Sequence, residues 1–142
     1  MVALVCAVAI WQIAARVPGL AFDFPGRVPL AAAIATLGLA IDFLSLLRFL
    51  RARTTINPLS PGKASALVAE GLYRYTRNPM YLGLLLVLTA WTLYQGNVLG
   101  LAVLPLFVAY LTRFQIVPEE RLLAAKFGGS YEAYRRAVRR WI

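Results

Sequence analysis

The sequence predicts an all-α fold: a multi-pass integral membrane bundle of about four transmembrane helices, followed by an interfacial helical tail. Of the 142 residues 61% are hydrophobic and only 15% are charged, whereas soluble domains carry about 45–50% apolar and about 25% charged residues. The surplus apolar surface calls for a nonaqueous solvent, and a mean hydropathy of +0.69 agrees. Residues 78–112 are a run of 35 without a charged side chain, too long for one bilayer crossing at about 1.5 Å of rise per residue. The basic residues, finally, gather between and after the apolar segments rather than inside them.

Taken in order, Val2 to Ala15 is uncharged and forms the first span. No basic residue precedes it, and Ala3-Leu4-Val5 stands ahead of Cys6 where a processed signal would have a small residue, so it is read as a retained helix, short or tilted. Val28 to Leu47 holds one charge, Asp42, and is the second span; a carboxylate at that depth needs a partner or a wet cavity. Residues 52–78 read as a long polar loop broken by Asn57-Pro58 and Ser60-Pro61-Gly62. The 35-residue run then divides at Gln95-Gly96-Asn97 into helices at 79–95 and 98–116, a hairpin in which Gly83 and Gly100 allow close packing. In the tail, Leu123, Phe127, Tyr131, Tyr134, Val138 and Trp141 recur at helical steps, with Gly128-Gly129 interrupting and Ser130 able to cap a second segment. The whole, 1–142, is read as a single domain whose motif-bearing core is about 64–142.

Thirteen of the 15 basic residues lie in the second loop, at the end of the last span or in the tail. An even number of spans with those segments inside places both termini in the cytoplasm. The net charge of +9 then serves orientation and contact with anionic lipids, so membrane lipids and no nucleic acid are the expected partners. With no histidine and one cysteine, histidine-based metal sites, Ser/His/Asp and Cys/His catalysis and an intrachain disulfide are all excluded. No metal is expected. Chemistry must run on carboxylates, Arg, Lys, Tyr and backbone groups.

Two clusters fall on the same predicted face. One runs from Leu67 to Gly83, and the other from Arg113 through Pro118-Glu119-Glu120-Arg121 to Phe127-Gly128 and Tyr131/Tyr134. Glu119 and Glu120 suit a helix start after Pro118, where the dipole favours carboxylates, or alternatively a grip on a cationic ligand group. Arg74 and Arg77 suit lipid phosphates equally well.

Together the clusters resemble the isoprenylcysteine carboxyl methyltransferase family and related phospholipid methyltransferases. The resemblance rests on Leu67-Val68, Gly71-Leu72-Tyr73, Arg77-Asn78-Pro79-Met80-Tyr81-Leu82-Gly83, Glu119-Glu120, Phe127-Gly128 and Tyr131-Glu132-Ala133-Tyr134, with Asn78 standing where the family often has histidine. It implies a methyltransferase using S-adenosylmethionine on a lipophilic or lipidated acceptor. It also implies that Leu67, Val68, Gly71, Tyr73, Asn78 and Tyr81 line the cofactor, that Glu119 or Glu120 holds its amino acid end, and that Arg113 is the catalytic-site residue meeting the acceptor. Independently, a carboxylate acceptor suits a site without histidine, because carboxylic acids with reference pKa values near 4 are already ionised at neutral pH. An amine would first have to lose a proton. Phospholipid amino-group methylation and a noncatalytic lipid-binding scaffold are the competing readings.

Overall fold

The computed structural model describes residues 1–51 and 67–142. The loop breakers at Asn57-Pro58 and Ser60-Pro61-Gly62, and the start of the motif-bearing core at 64, lie outside the described residues. Among those described, the regular segments are helical: α1 (Val2–Arg16), α2 (Arg27–Arg51), α3 (Pro79–Gln95), α4 (Val103–Leu111), α5 (Val117–Phe127) and α6 (Gly129–Ala137). Short 3₁₀ turns stand at Pro18–Leu20, Gly71–Arg74 and Val98–Ala102, and one π-helical turn at Thr112–Ile116. Two helical stretches, Arg27–Arg48 and Val98–Phe127, are long and apolar enough to cross a membrane, while α1 is apolar but shorter. About four such spans are therefore not reached on length and composition alone.

The described residues form two compact units. The first comprises Met1–Ala40 with Gly83–Tyr110. Its polar side chains mostly satisfy main-chain carbonyls. The Trp91 indole N–H donates to Ala7 O at 2.9 Å, and the buried Asn97 amide donates to Val17 O at 2.8 Å while its oxygen caps Leu99 N at 3.0 Å. Arg27 donates to Leu93 O at 3.0 Å and Tyr94 O at 2.7 Å, covering the last carbonyls of α3 where a cation complements the helix dipole. The turn expected at Gln95-Gly96-Asn97 is present: Gly96 has φ +64°, and a Cβ there would collide with the Arg27 guanidinium and stand 2.7 Å from Phe22 O.

Gly100 does pack tightly, a Cβ there falling 3.1 Å from Thr92 Cγ2 and 3.4 Å from Ile10 Cγ2. At Gly83 the close approach runs the other way. Gly38 is the position that must be glycine, because a Cβ on it would lie 2.8 Å from the Gly83 carbonyl oxygen. The core beneath is apolar, with Ile10, Leu88 and Phe107 buried.

The second unit comprises Ile41–Leu82 with Leu111–Ile142. Here the chain is helical from Leu111 through Phe127, with Ile116 still in helical geometry. Glu119 and Glu120 occupy the first turn of α5 after Pro118, but the π turn feeds straight into it, so there is no free helix start for them to cap. Proline removes one main-chain donor, and the wider π turn ahead of it accommodates the mismatch. Gly128, at φ +51°, turns the chain between α5 and α6, and no side chain caps α6, so Ser130 does not have the capping role expected of it. Helix α6 ends at Ala137 and Val138 is extended. The last two positions of the tail's hydrophobic stripe, Val138 and Trp141, thus lie beyond the helix that their spacing predicts.

Candidate functional site

The second motif cluster, and the first as far as Leu82, fall in the second unit, where they converge. The Gly71–Arg74 turn buries Tyr73, and the chain then reaches Pro79 at the start of α3 through Thr76-Arg77-Asn78. Tyr73 is held at both ends: its carbonyl accepts from the Tyr134 hydroxyl at 2.8 Å, and its own hydroxyl meets Ser45. Burial, with the Tyr134, Glu119 and Tyr81 side chains nearby, pushes that hydroxyl far above its usual range, so it stays protonated. Burial pushes Tyr134 up as well.

The adjacent carboxylates are treated very differently. Glu120 forms an ion pair with Arg77, Nη1 to Oε1 at 2.9 Å, and accepts from Arg140 Nε and Nη2 at 3.0 and 2.8 Å, a bidentate fork. The side chains of Arg77 and Glu120 are only 10% and 11% exposed, so this pair is shielded from water. Glu119 makes no ion pair among the described residues. Its contact is one long hydrogen bond, 3.4 Å, from the Tyr81 hydroxyl, which also meets Gln115. Burial lifts the Glu119 carboxyl from 4.5 to about 7; the Tyr81 hydrogen bond opposes that rise and the Glu120 charge adds to it. Glu119 thus holds its proton to higher pH than an ordinary carboxyl and has no cation partner among the described residues.

The remaining sequence-derived residues are placed as follows. Leu67 and Val68 line an open cleft of about 290 Å³ with Arg48, Arg51, Ala69 and Glu70. Gly71 lines an adjoining one with Arg48, Glu70, Arg74 and Tyr75. Gly71 has φ +63°, and a Cβ on it would press within 2.7 Å of Arg48 Nε. Asn78 donates its amide to Arg140 O at 2.9 Å. Arg113 lies in the π turn, exposed and without an ion pair among the described residues. Sequence reasoning missed Arg140, Ser45 and Gln115 as neighbours of the motif residues. For Arg140 the sequence offers one signal, an arginine beside Trp141 just off the aromatic stripe of the tail.

The family profile described as phospholipid methyltransferase matches residues 27–130. The chain belongs to the phospholipid methyltransferase family. Its similarity to the protein-S-isoprenylcysteine O-methyltransferase of Schizosaccharomyces pombe is 29% identity over 108 residues, covering 70% of this chain and 46% of that one. The chain thus spans about half the length of that curated relative. An uncharacterized protein of Haemophilus influenzae is 48% identical over 63 residues, 44% of this chain and 100% of that one. No solved structure matches. The family match encloses the segment from Leu67 to Gly83 and Glu119-Glu120, and stops just short of Tyr131 and Tyr134.

Proposed function

We propose that the chain is an integral membrane methyltransferase that moves a methyl group from S-adenosylmethionine to a lipophilic acceptor, a carboxylate such as that of a prenylated cysteine. The observation that carries this reading is Glu119, a carboxylate without a cation partner among the described residues in a site where its neighbour Glu120 takes two arginines. A partly buried acid with no ion pair among the described residues, beside guanidinium groups that go to its neighbour, is suited to a cation from outside, and the donor's ammonium is one.

The donor carries its methyl on a positively charged sulfur that is also the leaving group, so transfer is an in-line displacement for which alignment supplies much of the acceleration. Glu119 receives the ammonium, assisted by Tyr81. Leu67 and Val68 offer backbone groups from their cleft, with Gly71 and Tyr73 completing the wall. Asn78, its amide already donated to Arg140, presents its oxygen. Glu120 contributes through the arginines it holds. Arg113, exposed at the end of an apolar helix, reaches the headgroup level and meets the acceptor carboxylate with its planar fork.

A membrane setting is supported by the large apolar side chains left exposed along α2, among them Leu37, Leu39, Phe43 and Leu44. Adding α1 and the 17-residue α3 to the two longer stretches makes four spans, which end at residue 116 and place both termini in the cytoplasm. Reporter fusions after Gln95 are expected to read outside, and fusions after Gly62 and Ile142 inside. A cytoplasmic Gln95 would overturn this topology.

The cofactor reading is tested by thermal unfolding of the detergent-purified chain. S-adenosylhomocysteine at about 100 times its Kd should add roughly 2.7 kcal/mol of stability. No stabilisation at any ligand concentration points to the noncatalytic scaffold. A second acceptor, the amino group of a phospholipid, is favoured by Glu119 itself, whose near-neutral carboxyl could take the proton an amine must lose. Labelled methyl transferred to a carboxylate leaves on mild base treatment as methanol, whereas a methylamine is stable. Base-stable label in phosphatidylethanolamine would replace the carboxylate reading.

A further inference from the structure

The three residues 139–141, beyond α6, are tied to both motif segments. Arg77 N–H donates to Arg139 O at 2.9 Å, and the Thr76 hydroxyl and Asn78 amide both donate to Arg140 O, at 3.2 and 2.9 Å. The Arg140 guanidinium grips Glu120, and the Trp141 indole N–H donates to Thr112 Oγ1 at 3.3 Å. A segment outside helix and sheet has no hydrogen-bond ladder of its own, so its carbonyls are open to such partners. Its side chains reach the π turn and α5 while its backbone is fastened to the segment before α3.

We infer that Arg140 is a positioning residue for the methyl-donor site: by clamping Glu120 against Arg77 it sets the rotation of the first turn of α5, and with it the direction in which Glu119 points. This rests on the reading that Glu119 receives the donor's ammonium. Glu119 cannot orient itself, because its Tyr81 contact is 3.4 Å long, at the weak end of hydrogen bonding. Its neighbour is held by two guanidinium groups, one of them bidentate. Successive residues on a helix are about 100° apart, so fixing one carboxylate fixes the bearing of the next. The clamp also joins the two clusters, because Arg77 contacts Glu120 through its side chain and Arg139 through its backbone.

Arg140 is the informative place to cut. Its side chain is 37% exposed, and removing it leaves the shielded Arg77–Glu120 pair intact, so the unfolding midpoint of Arg140→Ala is expected to stay close to that of the native chain. Binding of S-adenosylhomocysteine is measured by calorimetry, which separates affinity from the fraction of competent molecules. A positioning role weakens Kd by about tenfold, because small misplacements of a binding group are costly, with stoichiometry unchanged. Arg140→Lys, which keeps the charge and loses the fork, recovers part of that loss.

A structural brace alone lowers stoichiometry or the unfolding midpoint and leaves Kd as it was, and that result overturns the inference. Should Arg140→Ala not fold, Arg140→Lys decides: a severalfold weaker Kd supports the positioning role and an unchanged Kd overturns it. If the native chain does not bind S-adenosylhomocysteine at all, the donor reading itself fails and the inference falls with it. Binding that is equal in native and variant chains removes the inference while the donor reading stands.

Discussion

The two units of the chain differ in what most of their polar side chains meet. In the first, Trp91, Asn97 and Arg27 all donate to main-chain carbonyls, and glycine at Gly38 lets one backbone lie against another. In the second, where Thr76, Asn78 and Tyr134 also donate to carbonyls, side chains meet each other as well: Arg77 and Arg140 on Glu120, Tyr81 on Glu119, and Trp141 on Thr112. The first arrangement uses its donors up within the fold, on main-chain carbonyls that have two lone pairs each and can accept a second bond. The second leaves Glu119 with spare bonding capacity, which is what a binding site requires. On the proposed function, chemistry concentrates where the side-chain network is incomplete, with the apolar unit as scaffold.

The sharpest way to break this contrast is to remove the network's centre. Glu120→Ala leaves the shielded Arg77 guanidinium without its counter-ion, and Arg77 Nε already lacks a hydrogen-bond partner. Losing one partner of a buried pair costs about 3–5 kcal/mol, so the variant is expected to unfold far more easily when followed by circular dichroism during heating. A loss below about 1 kcal/mol would mean that the pair is solvated.

Glu119→Gln should divide binding from stability. Losing a charge-assisted bond costs about 1.5–3 kcal/mol, or roughly 10- to 150-fold in affinity for S-adenosylhomocysteine, while the unfolding midpoint stays level or rises. The rise follows from the sign of the pKa shift. Because burial raises the carboxyl from 4.5 to about 7, the unfolded chain gives up its proton first. Stability from this group therefore declines as pH climbs from 4.5 to 7 and is flat above. Glutamine, with nothing to ionise, should flatten that segment of the stability profile.

The same titration predicts ligand affinity with the opposite slope. An ammonium prefers the ionised acid, so S-adenosylhomocysteine should bind several-fold more tightly at pH 8 than at pH 6, and Glu119→Gln should lose most of that dependence. A pH-independent affinity in the native chain would remove Glu119 from the ammonium site.

On the scaffold side, Gly38→Ala puts a methyl 2.8 Å from the Gly83 carbonyl. It should cost about 1–3 kcal/mol of stability, as overpacking does, without shifting the affinity of the molecules that remain folded. An affinity loss equal to that of Glu119→Gln would contradict the division between scaffold and site.

The smallest effect is expected at Arg113, which is exposed and unpaired among the described residues. Arg113→Lys keeps the charge and loses the fork, so methyl transfer should fall by about tenfold, the worth of one hydrogen bond to a charged group. Cofactor affinity should hold. Full activity in the lysine variant would return Arg113 to anchoring the helix among lipid phosphates.

Much of this was legible in the sequence because its causes are local. A 35-residue run without charge forces more than one helix, and Gln95-Gly96-Asn97 supplies the donors, acceptors and glycine that a reversal needs, so α3 and its partner follow from composition and turn chemistry alone. The order and spacing of the two clusters likewise identified the family. The roles of Glu119 and Glu120 could not be separated that way: they are identical residues side by side, and only the packing of α5 shows which one faces arginines and which faces a tyrosine. Val138 and Trp141 were misassigned for a related reason. Their spacing continues a helical stripe, but α6 stops at Ala137, and the residues beyond it are held by Thr76, Arg77, Asn78, Thr112 and Glu120. Periodicity reports what a helix would bury if the helix continued. Whether it does continue was decided by long-range hydrogen bonds, which compete with the local ones and leave no mark on the spacing of residues.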